Sequence, residues 1–222
     1  MANLDAIWDR ARIDLVVKAV DGGEDMFCWE NAHRIARAAL RINQFPQVRA
    51  LPTDEGALLA AALYYDVASV DLLRQGDIKP HELFARGRAK KHREQSAARM
   101  SERLADILSE KSGALASEAI LTLNDRNVQS IEGRILSDAR NLNDVGLLSL
   151  WPAIRRSMAE GNGVESLIET WTRQKEYHFW EARLNESFHF DDVRKIAENR
   201  LGQFDRFVAD LAHLHHGLDL AI

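Results

Sequence analysis

Residues 56–67 read Gly-Ala-Leu-Leu-Ala-Ala-Ala-Leu-Tyr-Tyr-Asp-Val. Ala57, Leu58, Leu59, Ala60, Ala61, Ala62 and Leu63 make a helix over this stretch apolar on nearly every side. A helix of that kind belongs in the middle of a bundle, because every face has to be covered. Thr53 or Asp54 is placed to cap it, with Glu55 in its first turn. The rest of the chain must supply the amphipathic helices that surround it.

Those helices are legible on both sides. From Leu4 to Val20 the residues Leu4, Ile7, Trp8, Ala11, Leu15 and Val16 recur at three- and four-residue steps, and Asp21-Gly22-Gly23 stops the pattern. A second helix is expected from Met26 to Ile42, ending before Asn43-Gln44-Phe45-Pro46. Beyond Pro80 and Gly87, a long helix is expected from Lys90 to Leu108, on the spacing of Ala97, Met100, Leu104, Ile107 and Leu108. Gly113 should separate it from a short helix at Ala116 to Leu123, and Asn124-Asp125-Arg126-Asn127 is a turn signal. Helix then resumes through Ile131, Ile135 and Leu142, restarts at Trp151-Pro152, and continues over Val164 to Leu184 and Asp191 to His213. No alternating strand pattern with a hairpin signal interrupts the series. The expectation is an all-α fold: one domain over residues 1–222, a compact bundle of about eight to ten helices.

Composition agrees and narrows the function classes. Only four prolines and twelve glycines occur in 222 residues, and 46% of the chain is apolar against 28% charged, which describes a folded domain. The formal charge of −5 supplies no basic field to recruit nucleic acid or an anionic membrane. A lone cysteine, Cys28, cannot form an internal disulfide, and no apolar run approaches the ~20 residues needed to span a bilayer. A cytoplasmic protein with no nucleic-acid or membrane partner is the expectation.

Four segments carry the chemistry: Cys28-Trp29-Glu30-Asn31-Ala32-His33-Arg34-Ile35, Ala61-Ala62-Leu63-Tyr64-Tyr65-Asp66-Val67, His92-Arg93-Glu94-Gln95-Ser96-Ala97 and the run from Ser137 to Gly146. In that order and at those separations the chain resembles the metal-dependent phosphohydrolases of the HD superfamily, above all their compact bacterial members. Phe179 to Leu184 and Ala197 to Arg200 look like that group's last two helices, so the similarity runs from about Met26 to Leu211. The resemblance implies an all-helical bundle and hydrolysis of phosphoesters, often in nucleotides. It also implies a metal held by a His, a His-Asp pair and a distant Asp.

Carried over position by position, the resemblance puts Asn31 and Tyr65 where the family has imidazoles, and Asp66 and Asp138 where it has carboxylates. His33 is two residues from Asn31 and falls on another face of the helix. His92 matches a histidine that lies near the phosphate in some relatives, and Arg140 sets a positive charge near Asp138, where it can stand in for a metal by pairing with the carboxylates. A phenol keeps its proton at neutral pH and is a poor ligand beside imidazole. Two carboxylates and an amide suit a loosely held Mg²⁺ or another hard divalent cation, and no tightly bound cofactor is expected.

The reading is therefore a degenerate HD domain with an incomplete metal site, binding or regulatory and not catalytic. The alternative is a divalent-metal-dependent phosphohydrolase acting on a nucleotide or other phosphoester through an atypical site, with Asp66 and Asp138 for the metal and His92 or His33 for the phosphate or leaving group. His92 and Arg140 are the candidate contacts to a phosphate-containing small ligand. The aromatic residues Trp171, Tyr177, Phe179, Trp180, Phe188 and Phe190 allow a homodimer surface, although core packing explains most of them. The basic run Arg86 to Arg93 reads as a solvated helix start, and His213, His215 and His216 lack an acidic partner at ligand spacing in the sequence.

Overall fold

A computed structural model of the chain describes residues 3–18, 22–83, 90–123, 125 and 127–220. Asp21, the basic run's Arg86 to Ala89, and Asn124 and Arg126 of the turn signal lie outside the described residues. The fold is all-α. Twelve α-helical segments occur among the described residues, accompanied by one two-stranded sheet. The chain divides into two compact units, residues 1–140 and 141–222.

The first unit holds α1 (Leu4–Leu15), α2 (Phe27–Ile42), α3 (Pro46–Arg49), α4 (Glu55–Tyr64), α5 (Val67–Gln75), α6 (Lys90–Arg103), α7 (Glu110–Leu121) and most of α8 (Ile131–Asn143). As expected from its composition, α4 is the centre. It packs on α1, α2, α6 and α7, and its residues from Gly56 to Tyr64 are all buried. Asp54 is the cap, its Oδ1 accepting from the Ala57 N–H at 2.9 Å. The 21 residues from Glu55 to Gln75 are long and apolar enough to cross a membrane, a run the sequence reading did not credit. In this fold 72% of their most apolar stretch is buried inside the protein.

Four boundaries depart from expectation, one of them at the helix expected from Lys90 to Leu108, which ends at Arg103. The first helix ends at Leu15, and Val17–Lys18 pairs antiparallel with Glu24–Asp25 where helix was expected; Ala19 and Val20, the end of that expected helix, lie outside the described residues. The β-branched Val16 and Val17 favour extended backbone there. The central helix stops at Tyr64, and α5 follows after Tyr65 and Asp66, an element the sequence reading left unassigned. Gly113 lies inside α7 and does not precede it, because Ser109 caps that helix through Ser112 N–H at 3.1 Å.

The second unit contains the last turn of α8 with α9 (Leu150–Ala159), α10 (Val164–Glu176), α11 (Phe179–Glu186) and α12 (Asp191–His215). Here the expected single helix from Val164 to Leu184 is two, broken at His178, whose φ of 51° is left-handed. Nine residues separate Trp171 from Trp180, which would set them on opposite faces of one continuous helix. The break lets both indoles join one cluster, with ring centroids 6.2 Å apart and Phe204 set edge-on 4.6 Å from Trp171. Most of the aromatic crowd is thus core, while Tyr177 and Phe179 face outward.

Candidate functional site

Four of the sequence-selected residues in the first unit, Asn31, Tyr65, Asp66 and His92, gather around the junction of α4 and α5. Tyr65 closes α4, Asp66 opens α5, Asn31 comes from the middle of α2 and His92 from the first turn of α6. Asn31 and Tyr65, which the resemblance sets at the two imidazole positions, are hydrogen-bonded to each other: the Asn31 Nδ2 donates to the Tyr65 hydroxyl at 2.9 Å in a buried setting. Next to them is a cavity of about 10 Å³ walled by Asn31, Tyr65, Asp66, Ser69, Cys28 and Leu15. That is room for about one water molecule. Arg34, one turn along α2 from Asn31, is held below the usual guanidinium range by burial, with Glu30 and the Tyr65 phenol opposing.

Asp66 is tied into a triangle. Its Oδ1 lies 2.8 Å from His92 Nε2 and accepts from the Ser69 hydroxyl at 3.0 Å, while the hydroxyl and the same His92 nitrogen are 3.1 Å apart. Asp and Ser therefore meet one ring nitrogen. A nucleophilic triad needs them on opposite ring nitrogens, so this triangle is no relay for activating Ser69. With Nε2–H donating to the carboxylate, that nitrogen offers no lone pair to a metal. Ser69 was absent from the sequence candidates; its signal was the Asp66-x-x-Ser69 spacing at a helix start.

The other candidates are placed as follows. Asp138 is wholly buried on α8. Arg140 is two residues further along and half-buried, on a different face of that helix. Asn141, which opens the second unit, donates through Nδ2 to the Ser187 carbonyl at 2.7 Å and so anchors the end of α11. His33 sits between two indoles, 5.1 Å from Trp8 and 5.3 Å from Trp29 in ring centroids. Burial, then Arg37 and Arg34, lower its pKa below the ordinary 6.5.

The donor set does not fit the His and His-Asp metal centre that the resemblance implies. The two positions it gives to imidazole nitrogens are an amide and a phenol engaged with each other. Asp66, His92 and Asp138 do not bring three ligand atoms within reach of one ion; among the described residues only Glu165, His215 and His216 do so. What the junction offers chemically is a carboxylate, an imidazole and a hydroxyl at the edge of a small, partly open pocket. A larger open groove of about 870 Å³ runs past the start of α4. Two of its three carboxylates have structural duties: Glu132 accepts from Asp54 N–H at 2.8 Å, and Asp54 Oδ2 from the Ser112 hydroxyl at 2.8 Å.

No protein-family model and no curated protein sequence matches the chain. Solved structures do. A predicted HD superfamily hydrolase from an uncultured Thermotogales bacterium superposes with a TM-score of 0.58 at 19% identity, covering 95% of this chain and 92% of that one. Bacillus subtilis YpgQ in complex with ADP gives 0.58 at 18% identity over 94% of this chain and 92% of YpgQ. An HD-superfamily hydrolase from Bacillus thuringiensis gives 0.58 at 14% identity over 96% of both chains. The chain has the fold of the HD-superfamily hydrolases.

Proposed function

We propose that the chain is a binding or regulatory domain which keeps the HD-hydrolase bundle without its imidazole-ligated metal centre. The hydrogen bond between Asn31 and Tyr65 carries the reading, because it engages with each other the two side chains that stand in place of metal-binding imidazoles. Loss of two nitrogen ligands removes most of a site's affinity for a transition ion, since ligand number and type set that affinity. The His92–Asp66 contact supports the same reading, because it engages the carboxylate with a protein partner.

The ligand class we propose is a phosphate-containing small molecule of nucleotide size, reached through His92 and Arg140. One solved structure of the same fold, YpgQ, is described as a complex with ADP, which supports that class. We place the protein in the cytoplasm and treat residues 1–222 as one functional domain. A homodimer would use the outward Tyr177, Phe179 and Trp151, whose exposures are 77%, 45% and 60%. Sedimentation velocity tests it, and a monomer at every concentration removes it.

Two measurements test the central reading. Thermal unfolding with and without ADP should give a rise in Tm that His92→Ala reduces. A panel of nucleotides and phosphoesters with Mg²⁺ or Mn²⁺ should give no turnover. Hydrolysis abolished by both Asp66→Asn and Asp138→Asn would overturn the proposal in favour of an active phosphohydrolase.

A further inference from the structure

In the second unit, α10 and α12 run antiparallel. Lys175 near the end of α10 pairs with Asp205 at 2.7 Å, and Glu165 in the first turn of α10 meets the last turn of α12. There His215 Nε2 lies 2.9 Å from Glu165 Oε2, and His216 Nε2 lies 3.6 Å from the same oxygen. Neighbouring residues on a helix point 100° apart and seldom converge. These two do because α12 ends at His215, and His216 leaves the helix as its cap. His213, two residues before His215 and so on another face of the helix, is not part of the group.

We propose that Glu165, His215 and His216 form a binding site for a zinc-class divalent transition ion, with the fourth position open to water or an incoming donor. The residue types are a carboxylate and two imidazoles, a donor set suited to zinc and its neighbours. The spacing fits as well. Ligands at 2.0–2.1 Å in a tetrahedron stand about 3.3 Å apart, and the two contacts to Glu165, 2.9 and 3.6 Å, bracket that value. All three ligand atoms fall within 4.8 Å of one another, so the side chains have to draw together to close on an ion. All three residues are also exposed, which gives the ion a path in. Two Nε2 atoms turned to one carboxylate oxygen is also more than a single ion pair requires.

The site is remote in residues and chemistry from the junction of α4 and α5, and it does not depend on the function proposed above. An ion there would clamp the start of α10 to the end of α12 and stabilise the second unit in proportion to its occupancy.

The test uses the full chain without a histidine tag, titrated with Zn²⁺ alone by calorimetry and by competition with a chromophoric chelator. One equivalent is expected to bind. His215→Ala, His216→Ala and Glu165→Gln should each weaken binding at least tenfold, since changing a mere outer-shell partner already costs 10–100-fold. His213→Ala should leave it unchanged. Circular dichroism checks that each variant is folded, and Glu165→Gln, which keeps size and removes only charge, is the least disruptive of the three. Loading with Co²⁺ gives a second readout, visible bands of four-coordinate intensity that vanish in Glu165→Gln. Absence of stoichiometric Zn²⁺ binding, or binding that survives His215→Ala and Glu165→Gln, overturns the proposal.

Discussion

Tyr64 and Tyr65 are adjacent, and both are buried, yet their hydroxyls serve different partners. Tyr64 donates to Asp14 Oδ2 at 2.6 Å and fastens the end of α4 to α1. Burial first, and then that bond to Asp14, push its phenol far above the ordinary range, so it stays protonated at any working pH. Tyr64→Phe keeps the ring and removes the bond to a charged acceptor, with an expected loss of about 1–2 kcal/mol in urea unfolding. His33 gives a pH signature. Its folded pKa lies below 6.5, so between that value and 6.5 the unfolded chain binds more protons, and stability rises with pH through this window. Full benefit is reached above pH 6.5 and is lost as pH falls through the folded value. His33→Phe should flatten that part of the stability profile measured from pH 5 to 7.5.

At the scale of elements, the turns decide more than the helices. Gly146, between α8 and α9, has φ of +88°, and a Cβ there would come within 2.9 Å of Arg200 Cβ and 3.1 Å of the Arg200 carbonyl oxygen. Arg200 also donates to the Leu142 carbonyl at 2.9 Å, so the approach of α12 to this turn is close by construction. Gly146→Ala combines left-handed backbone with a steric clash and should lower stability by about 1–3 kcal/mol, read as a drop in Tm. By contrast Gly113, in ordinary helical backbone with open space around it, should accept alanine and gain about 0.5–1 kcal/mol. The same pair of substitutions separates a glycine required by geometry from one that merely looked like a helix boundary in the sequence.

Across the whole molecule, burial is uneven between the two units. The largest side chains that are fully buried, among them Tyr64, Tyr65, Ile35, Leu58, Leu59 and Met100, all belong to the first. In the second, Trp171, Trp180, Leu184 and Phe204 retain 5–9% exposure, and Leu147, Leu148, Trp151 and Met158 are exposed outright. Amide exchange should therefore be slowest in α4, where opening requires the whole first unit to unfold, and fastest in α9 among the helices named. Equal protection in α4 and α9 by hydrogen-exchange mass spectrometry would contradict this ordering.

The sequence alone determined the all-α class, the central position of the apolar helix that starts near Glu55, a cap at Thr53 or Asp54, and the neighbourhood of Asn31, Tyr65 and Asp66. These follow from local periodicity and from motif order, which one strand of text carries. Helix breaks at Tyr65–Asp66 and at His178 were not legible, because each side of the break is itself a good helix former and the reason for breaking is a distant packing partner. The pairing of Asn31 with Tyr65 needed two helices brought together. So did the meeting of Glu165 with His215 and His216, since fifty residues of chain separate the carboxylate from the imidazoles and only antiparallel packing of α10 on α12 closes that distance. Residue chemistry was written in the sequence; which residues share a site was decided by tertiary packing, because a contact between helices depends on relative placement that no local pattern encodes.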